Sequence, residues 1–193
     1  MLKFYLMLTF VLVFGFVSPT FASQPEQFKV QAWSVGQFTS KTNESHDAFV
    51  LRVAQALKAW TDQTGTEACG PIAKTKDGHY FVELTTEKAQ TVCLRSTVMP
   101  EGMTYTGDSI HSHPFKEGTS QIRLTSHDLA VLDEMGEVQF VDELRRMDIR
   151  SVHAEPDTFS PDDYAAGPGY LVVKGQLLYQ HGKGTSHLVA EVP

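Results

Sequence analysis

The sequence predicts a single α+β or α/β sandwich domain, built from a mixed sheet and two principal helices. Apolar residues recur at helical spacing over residues 48–62, after a serine that suits an N-cap. Short strand-like runs alternate with turn signals along much of the remaining chain. The length of 193 residues is enough for one domain with a sizeable core that depends on neither disulfide bonds nor structural metal.

Residues 1–22 have the features of a secretory signal peptide. Lys3 supplies a positive charge, residues 4–17 are almost wholly apolar, and the small residue Ala22 precedes the predicted cleavage point. The apolar region is shorter than the roughly 20 residues of a membrane span. We therefore expect residues 23–193 to form one exported domain, periplasmic or secreted, with an uncleaved membrane anchor as the alternative.

The charge of the chain argues against nucleic acids and anionic membranes as partners. Without Lys3, the sequence carries 15 basic and 23 acidic residues, a net charge of −8, and the basic residues form no stripe. After removal of the signal peptide, neither nucleic acid nor membrane is an expected partner.

Cys69 and Cys93 are the two cysteines of the chain. In an oxidising compartment they can form a single disulfide bond, which would act as one staple within the domain. The distance between them cannot be read from the sequence, so two free thiols remain the alternative.

The elements are expected in the following order. A short strand falls within residues 30–35, and the first helix begins after Ser45 and stops at Gly65. Asp77-Gly78 predicts a hairpin turn between two strands. The second half of the chain predicts a helix at residues 125–135, two strands at 138–141 and 149–153, and a surface loop at 155–169. A closing hairpin at residues 170–180 and an edge strand at 186–192 follow.

His111 and His113 follow a strand-like run and are the first indication of chemistry. On an extended backbone, side chains two residues apart point to one face, with Cβ atoms roughly 6–7 Å apart. Each imidazole can then offer one nitrogen to the same metal ion. Pro114 lacks a backbone donor and ends the strand. The alternative is a half-exposed strand that carries two histidines without a metal.

A catalytic zinc site usually has three protein ligands and leaves the fourth position to water. Asp128 is the nearest downstream carboxylate at the start of a helix, with His127 as the neighbouring alternative. Thr125 and Asp128 also form a helix capping box, which needs no metal. Hydrolysis further requires a carboxylate that carries a proton without binding the metal. Glu67 is the candidate, and an ordinary strand-edge glutamate is the alternative.

Three segments together resemble the JAMM/MPN metalloprotease motif: Glu67-Ala68-Cys69-Gly70, His111-Ser112-His113-Pro114 and Thr125-x-x-Asp128. The resemblance spans residues 45–181 and includes the order of the elements. It implies a cytidine-deaminase-like α/β/α sandwich with a mixed central sheet.

The resemblance also implies a zinc-dependent peptidase or isopeptidase that hydrolyses an amide bond in a peptide or protein substrate. Its implied zinc ligands are His111, His113 and Asp128. Glu67 is implied as general base and acid, and Thr125 as the hydroxyl that assists the oxyanion. Thr125 stands where the family has serine, and the segment between His113 and Asp128 is four residues longer than in the family.

Two alternatives belong to other functional classes. A catalytically silent MPN-like domain would bind a partner without a metal. A different hydrolase with an H-x-H pair, such as an amidohydrolase barrel, needs roughly 250 residues, which residues 23–193 do not provide.

Overall fold

The computed structural model describes residues 30–94, 96, 98–114, 121–153 and 157–193 of the chain. The predicted signal peptide lies outside these residues. Within them, the chain forms a seven-stranded sheet, a separate two-stranded sheet and four helices, which is an α+β fold. None of the helices in these ranges combines the length and the apolar character that crossing a membrane requires.

The strands are β1 Trp33–Thr39, β2 Cys69–Thr75, β3 Tyr80–Thr86, β4 Met103–Ser112, β5 Gln121–Arg123, β6 Ser151–His153, β7 Gly169–Val173, β8 Gln176–Gln180 and β9 His187–Glu191. The helices are α1 His46–Thr64, α2 Ser126–Glu134, α3 Val138–Arg146 and α4 Pro161–Ala165. The large sheet has the order β1-β3-β2-β4-β7-β8-β9, and β5 pairs with β6. Only β4 and β7 are parallel among the strand pairs of the described residues.

Helix α1 forms where the sequence predicts it. The Ser45 hydroxyl accepts a hydrogen bond from the Ala48 N–H, and Gly65 ends the helix in the left-handed conformation, with φ 67°. The apolar face packs on the large sheet and forms the main core, which includes Phe49, Val50, Val53, Ala54 and Leu57. The predicted hairpins are also confirmed, because β2 pairs with β3 and β7 with β8.

Strand β7 is buried on both faces of the sheet. Tyr170 and Val172 belong to the core beneath α1. Leu171 and Val173 pack with Phe159 in a second cluster. Because side chains alternate across a strand, these two sets lie on opposite faces of β7. The sheet is therefore covered on both sides at its parallel pair.

The connection between β4 and β7 is a long excursion, defined here as residues 121–153 and 157–168. Parallel strands need such a crossover, whereas antiparallel neighbours can be joined by a tight turn. The excursion contains β5, β6 and the three helices after α1. It has a small core of its own, which consists of Leu124, Leu129, Val141 and Leu144 packed against Ile122, Leu132, Ile149 and Val152.

Two predictions within the excursion are wrong. Residues 138–141 were expected to form a strand, but they begin α3. Val141 and Leu144 are both buried and lie three residues apart, which is helical spacing. Residues 155–169 were expected to be surface loop, but α4 forms there. Its start has a capping box and Pro161 in the first turn, both typical of a helix N-terminus.

Cys69 and Cys93 form a disulfide bond, with an S–S distance of 2.06 Å. Cys69 is fully buried at the start of β2, where it lies opposite His111 of β4. Cys93 lies in the irregular segment that follows β3. The bond therefore attaches this segment to the centre of the sheet.

We expect replacement of both Cys69 and Cys93 by alanine to lower the free energy of unfolding by about 3 kcal/mol. The bond closes a loop of 24 residues, and its loss increases the conformational freedom of the unfolded chain. Urea unfolding monitored by circular dichroism measures the change. Dithiothreitol should destabilise the wild-type protein similarly and leave the double variant unaffected. Equal stability of the oxidised wild-type protein and the double alanine variant would contradict this role.

Candidate metal site

The two histidines lie at the end of β4, between β2 and β7. The Ser112 N–H donates to the Ala68 carbonyl oxygen, and the His113 N–H donates to that of Val172, both at 3.1 Å. The extended backbone therefore continues through His113. The ring centroids of His111 and His113 are 5.0 Å apart, so the two imidazoles lie together, as strand alternation requires.

Asp163 is the carboxylate that joins the histidine pair. Its Oδ1 lies 2.9 Å from His111 Nε2, and its Oδ2 lies 3.4 Å from His113 Nε2. One ligand atom from each of the three residues lies within 4.8 Å of the other two. His111 is 3% exposed and Asp163 is 7% exposed. Two imidazole nitrogens and one carboxylate oxygen in this arrangement could hold a metal ion.

The capping box of α4 positions Asp163. The Ser160 hydroxyl accepts from the Asp163 N–H at 3.2 Å and donates to Asp163 Oδ2 at 2.8 Å. The Ser160 N–H also donates to Oδ2, at 2.8 Å. On the opposite side, the buried Gln180 amide donates to the Asp163 and Gly167 carbonyl oxygens. These contacts fix both the backbone and the carboxylate of Asp163.

The surroundings of Asp163 favour its charged form. Burial acts to raise the pKa of the Asp163 carboxyl, but the hydrogen bonds and the charge of His111 and His113 act in the opposite direction. The hydrogen bonds and charge of the two histidines outweigh burial, so the pKa of Asp163 lies well below its usual range. The group is therefore a carboxylate at neutral pH, which is the form that binds metal ions.

Glu67 lies beside the three residues without belonging to the group. Its Oε1 is 3.9 Å from His113 Nε2, and the residue is 6% exposed. The Glu67 N–H donates to the Ala89 carbonyl oxygen at 2.8 Å, and the Thr86 hydroxyl donates to the Glu67 carbonyl oxygen. Thr86 at the end of β3 and Ala89 in the following segment thus hold the backbone of Glu67, and the side chain faces the histidine pair.

Asp128, the predicted third ligand, does not belong to this group of three residues. Its Oδ1 accepts from the Gln90 N–H at 2.7 Å, and its Oδ2 accepts from the N–H and hydroxyl of Thr125. His127, the neighbouring alternative, contacts the Glu87 carbonyl oxygen through Nε2. Thr125-x-x-Asp128 is the capping box of α2, and the hydroxyl residue that bonds to Asp163 of the group is Ser160.

The sequence contains the signal that would have led to Asp163. Ser160-x-x-Asp163 has the same pattern as Thr125-x-x-Asp128, and it carries serine at the first position. However, 49 residues separate His113 from Asp163 along the chain, whereas 14 separate His113 from Asp128. The preference for a short loop therefore favoured Thr125-x-x-Asp128 over Ser160-x-x-Asp163.

The sequence matches no protein-family model, no curated protein and no solved structure. The function therefore has to be inferred from the geometry and chemistry of the site itself, because a fold alone does not define an activity.

We expect Asp163→Asn to weaken binding of a divalent metal ion by roughly 100-fold or more, because one charged ligand is lost. Asp128→Asn is the matched control, since it changes the same position of the same motif in α2. It should leave metal affinity unchanged and cost about 1 kcal/mol of stability through a weaker helix cap. Titration with Zn²⁺ against a competing indicator, together with urea unfolding, measures both effects. Loss of binding in the Asp128 variant alone would overturn the assignment.

Proposed function

We propose that the protein is an exported zinc-dependent metallopeptidase or isopeptidase of the JAMM/MPN type, which hydrolyses an amide bond in a peptide or protein. One observation carries the proposal. Three residues with metal-binding side chains converge, and a fourth side chain, the Glu67 carboxylate, lies 3.9 Å from one of them without joining the group. This division between ligands and an adjacent proton carrier is what metal-assisted hydrolysis requires.

The fold supports the proposed family, although the motif has to be assigned differently. Clusters on both faces of β7 are consistent with a cytidine-deaminase-like α/β/α sandwich around a mixed sheet. The family motif then consists of Glu67, the pair His111 and His113, and Ser160-x-x-Asp163. This assignment restores the serine of the family pattern and places the excursion between the second histidine and the aspartate.

The donor set fits zinc. Zinc binds imidazole nitrogen and carboxylate oxygen, and its catalytic sites keep three protein ligands with one open position. A bound zinc ion would supply a Lewis acid for the substrate carbonyl and a more acidic water molecule. Two histidines and one carboxylate also occur in non-haem iron sites. The adjacent Glu67 carboxylate favours hydrolysis, because it provides the proton transfer that this reaction needs.

The roles of the protein side chains follow from their positions. His111, His113 and Asp163 hold the metal. Glu67 accepts the proton of the attacking water and returns it to the leaving amine. Ser160 orients Asp163 through its hydroxyl and N–H.

Export is supported by the disulfide bond. Such bonds persist in oxidising compartments and are rare in the cytosol.

We expect the purified protein to contain about one equivalent of zinc, and His113→Ala to lose it because one of three ligands is removed. His127→Ala is the control, since this histidine contacts the Glu87 carbonyl oxygen instead. Elemental analysis of the dialysed proteins gives the metal and its stoichiometry. A protein that neither contains nor binds zinc would favour the silent binding domain, and bound iron would contradict the zinc assignment.

Glu67→Gln should retain zinc and lose hydrolysis by about 10²- to 10⁴-fold, because glutamine keeps the shape of the side chain but cannot carry the proton. The measurement is mass spectrometry of a mixed peptide library after incubation with the zinc-loaded protein. Glu83→Gln is the control, since Glu83 lies on β3 and bonds to Gln37 rather than to the site. Turnover at the wild-type rate in the Glu67 variant would refute its role.

A further inference from the structure

A cavity of about 380 Å³ lies directly beside the metal site. Glu67 and His113 are among its lining residues, and apolar side chains of the excursion line much of the rest. We call this cavity the side pocket and define it by Glu67, His113, Ile122, Val152, Phe159 and Pro161. Its volume falls within the range of sites that hold small ligands or single side chains.

The apolar lining comes from residues that the excursion leaves partly uncovered. Ile122 and Val152 are partners across the β5–β6 pair and therefore present one apolar surface. Both are half-buried, because they pack on the small core of the excursion and also face the cavity. Phe159 lies deeper, 4% exposed, with its ring centroid 6.0 Å from that of His111.

The lining is fixed in position relative to the metal site. Asp128 at the start of α2 accepts hydrogen bonds from the backbone and side chain of Gln90. The adjacent residue, Ala89, accepts the hydrogen bond of the Glu67 N–H. At the other end of the excursion, Phe159 directly precedes the capping residue of α4. The same segment of chain therefore delivers Asp163 to the histidine pair and the apolar lining to the cavity.

The chemistry of the lining selects against acidic groups. Among the described residues that line the side pocket, none is lysine or arginine, and Glu67 contributes negative charge. An acidic side chain would lose hydration there and would lie close to the Glu67 carboxylate, which repels it. A large apolar side chain would instead exchange water for contact with Ile122, Val152 and Phe159.

We propose that the side pocket is a specificity pocket that takes a large apolar side chain next to the bond being cleaved. The substrate class is then a peptide or protein with phenylalanine, leucine, methionine or a similar residue at that position. The inference rests on the proposed peptidase function, since the metal site defines where the cleaved bond lies.

The first experiment is cleavage of a mixed peptide library by the zinc-loaded protein. Bonds next to large apolar residues should be cut at least tenfold more often than bonds next to aspartate or glutamate. Val152→Lys should shift this preference towards acidic residues. Ser151→Lys is the matched control, because Ser151 is the exposed neighbour on β6 and points away from Ile122 and Val152. It should leave the preference unchanged.

The second experiment tests the side pocket by ligand affinity, without peptide cleavage. We expect 3-phenylpropanohydroxamate to bind the zinc-loaded protein at least tenfold more tightly than acetohydroxamate, because only the former carries a group for the pocket. Val152→Thr, which nearly preserves the shape of the side chain and guards against misfolding, should reduce this ratio several-fold. Calorimetric titration measures both affinities in each variant.

The two experiments separate failure of the pocket from failure of the peptidase assignment. Cleavage without residue preference, together with an affinity ratio near one, would overturn the specificity pocket and leave the peptidase standing. An affinity ratio above ten that depends on Val152, in a protein that cleaves no peptide, would support the pocket and overturn the peptidase. A preference that Val152→Lys and Ser151→Lys alter equally would also contradict the pocket.

Discussion

The carboxylate of Asp163, buried between two imidazoles, is the interaction on which the rest of the site depends. A buried charge without partners would cost several kcal/mol, and here two histidines and the Ser160 N–H and hydroxyl offset that cost. Helix α4 has five residues, too few for a helix to be stable in isolation. The contacts of Asp163 with the two histidines and the structure of α4 therefore stabilise one another.

The topology of the sheet explains why this carboxylate comes from so far along the chain. Because β4 and β7 are parallel, the chain must leave the end of β4 and return to the beginning of β7, where Gly169 pairs with Ser109. The returning segment passes the end of β4 on its way, and α4 begins there with Asp163 against His111 and His113. The number of residues in the excursion does not alter the position of Asp163 beside the histidines, because only the segment that returns to β7 has to pass the end of β4.

Sequence reasoning succeeded where the signals are local. Helix α1 follows from its apolar spacing and from the caps Ser45 and Gly65, and the hairpins follow from turn residues between alternating strands. The pairing of the two histidines follows from strand alternation alone. The contact of Asp163, rather than Asp128, with the histidine pair could not be obtained in this way, because Thr125-x-x-Asp128 and Ser160-x-x-Asp163 have the same pattern and both are real capping boxes. Only the tertiary path of the chain distinguishes them.

The capping box of α2 lies outside the group of His111, His113 and Asp163 but still acts on the geometry around that group. Asp128 bonds to Gln90, the neighbouring Ala89 bonds to the Glu67 N–H, and Cys93 attaches the same segment to β2. The distance between Glu67 and the histidine pair is therefore set by a segment that the excursion and the disulfide bond both restrain. In the proposed hydrolysis, the Glu67 carboxylate must lie within about one hydrogen-bond length of the proton it accepts, so small displacements of this segment would matter. The excursion thus contributes to the site at both of its ends, with Asp163 at one end and support for Glu67 at the other.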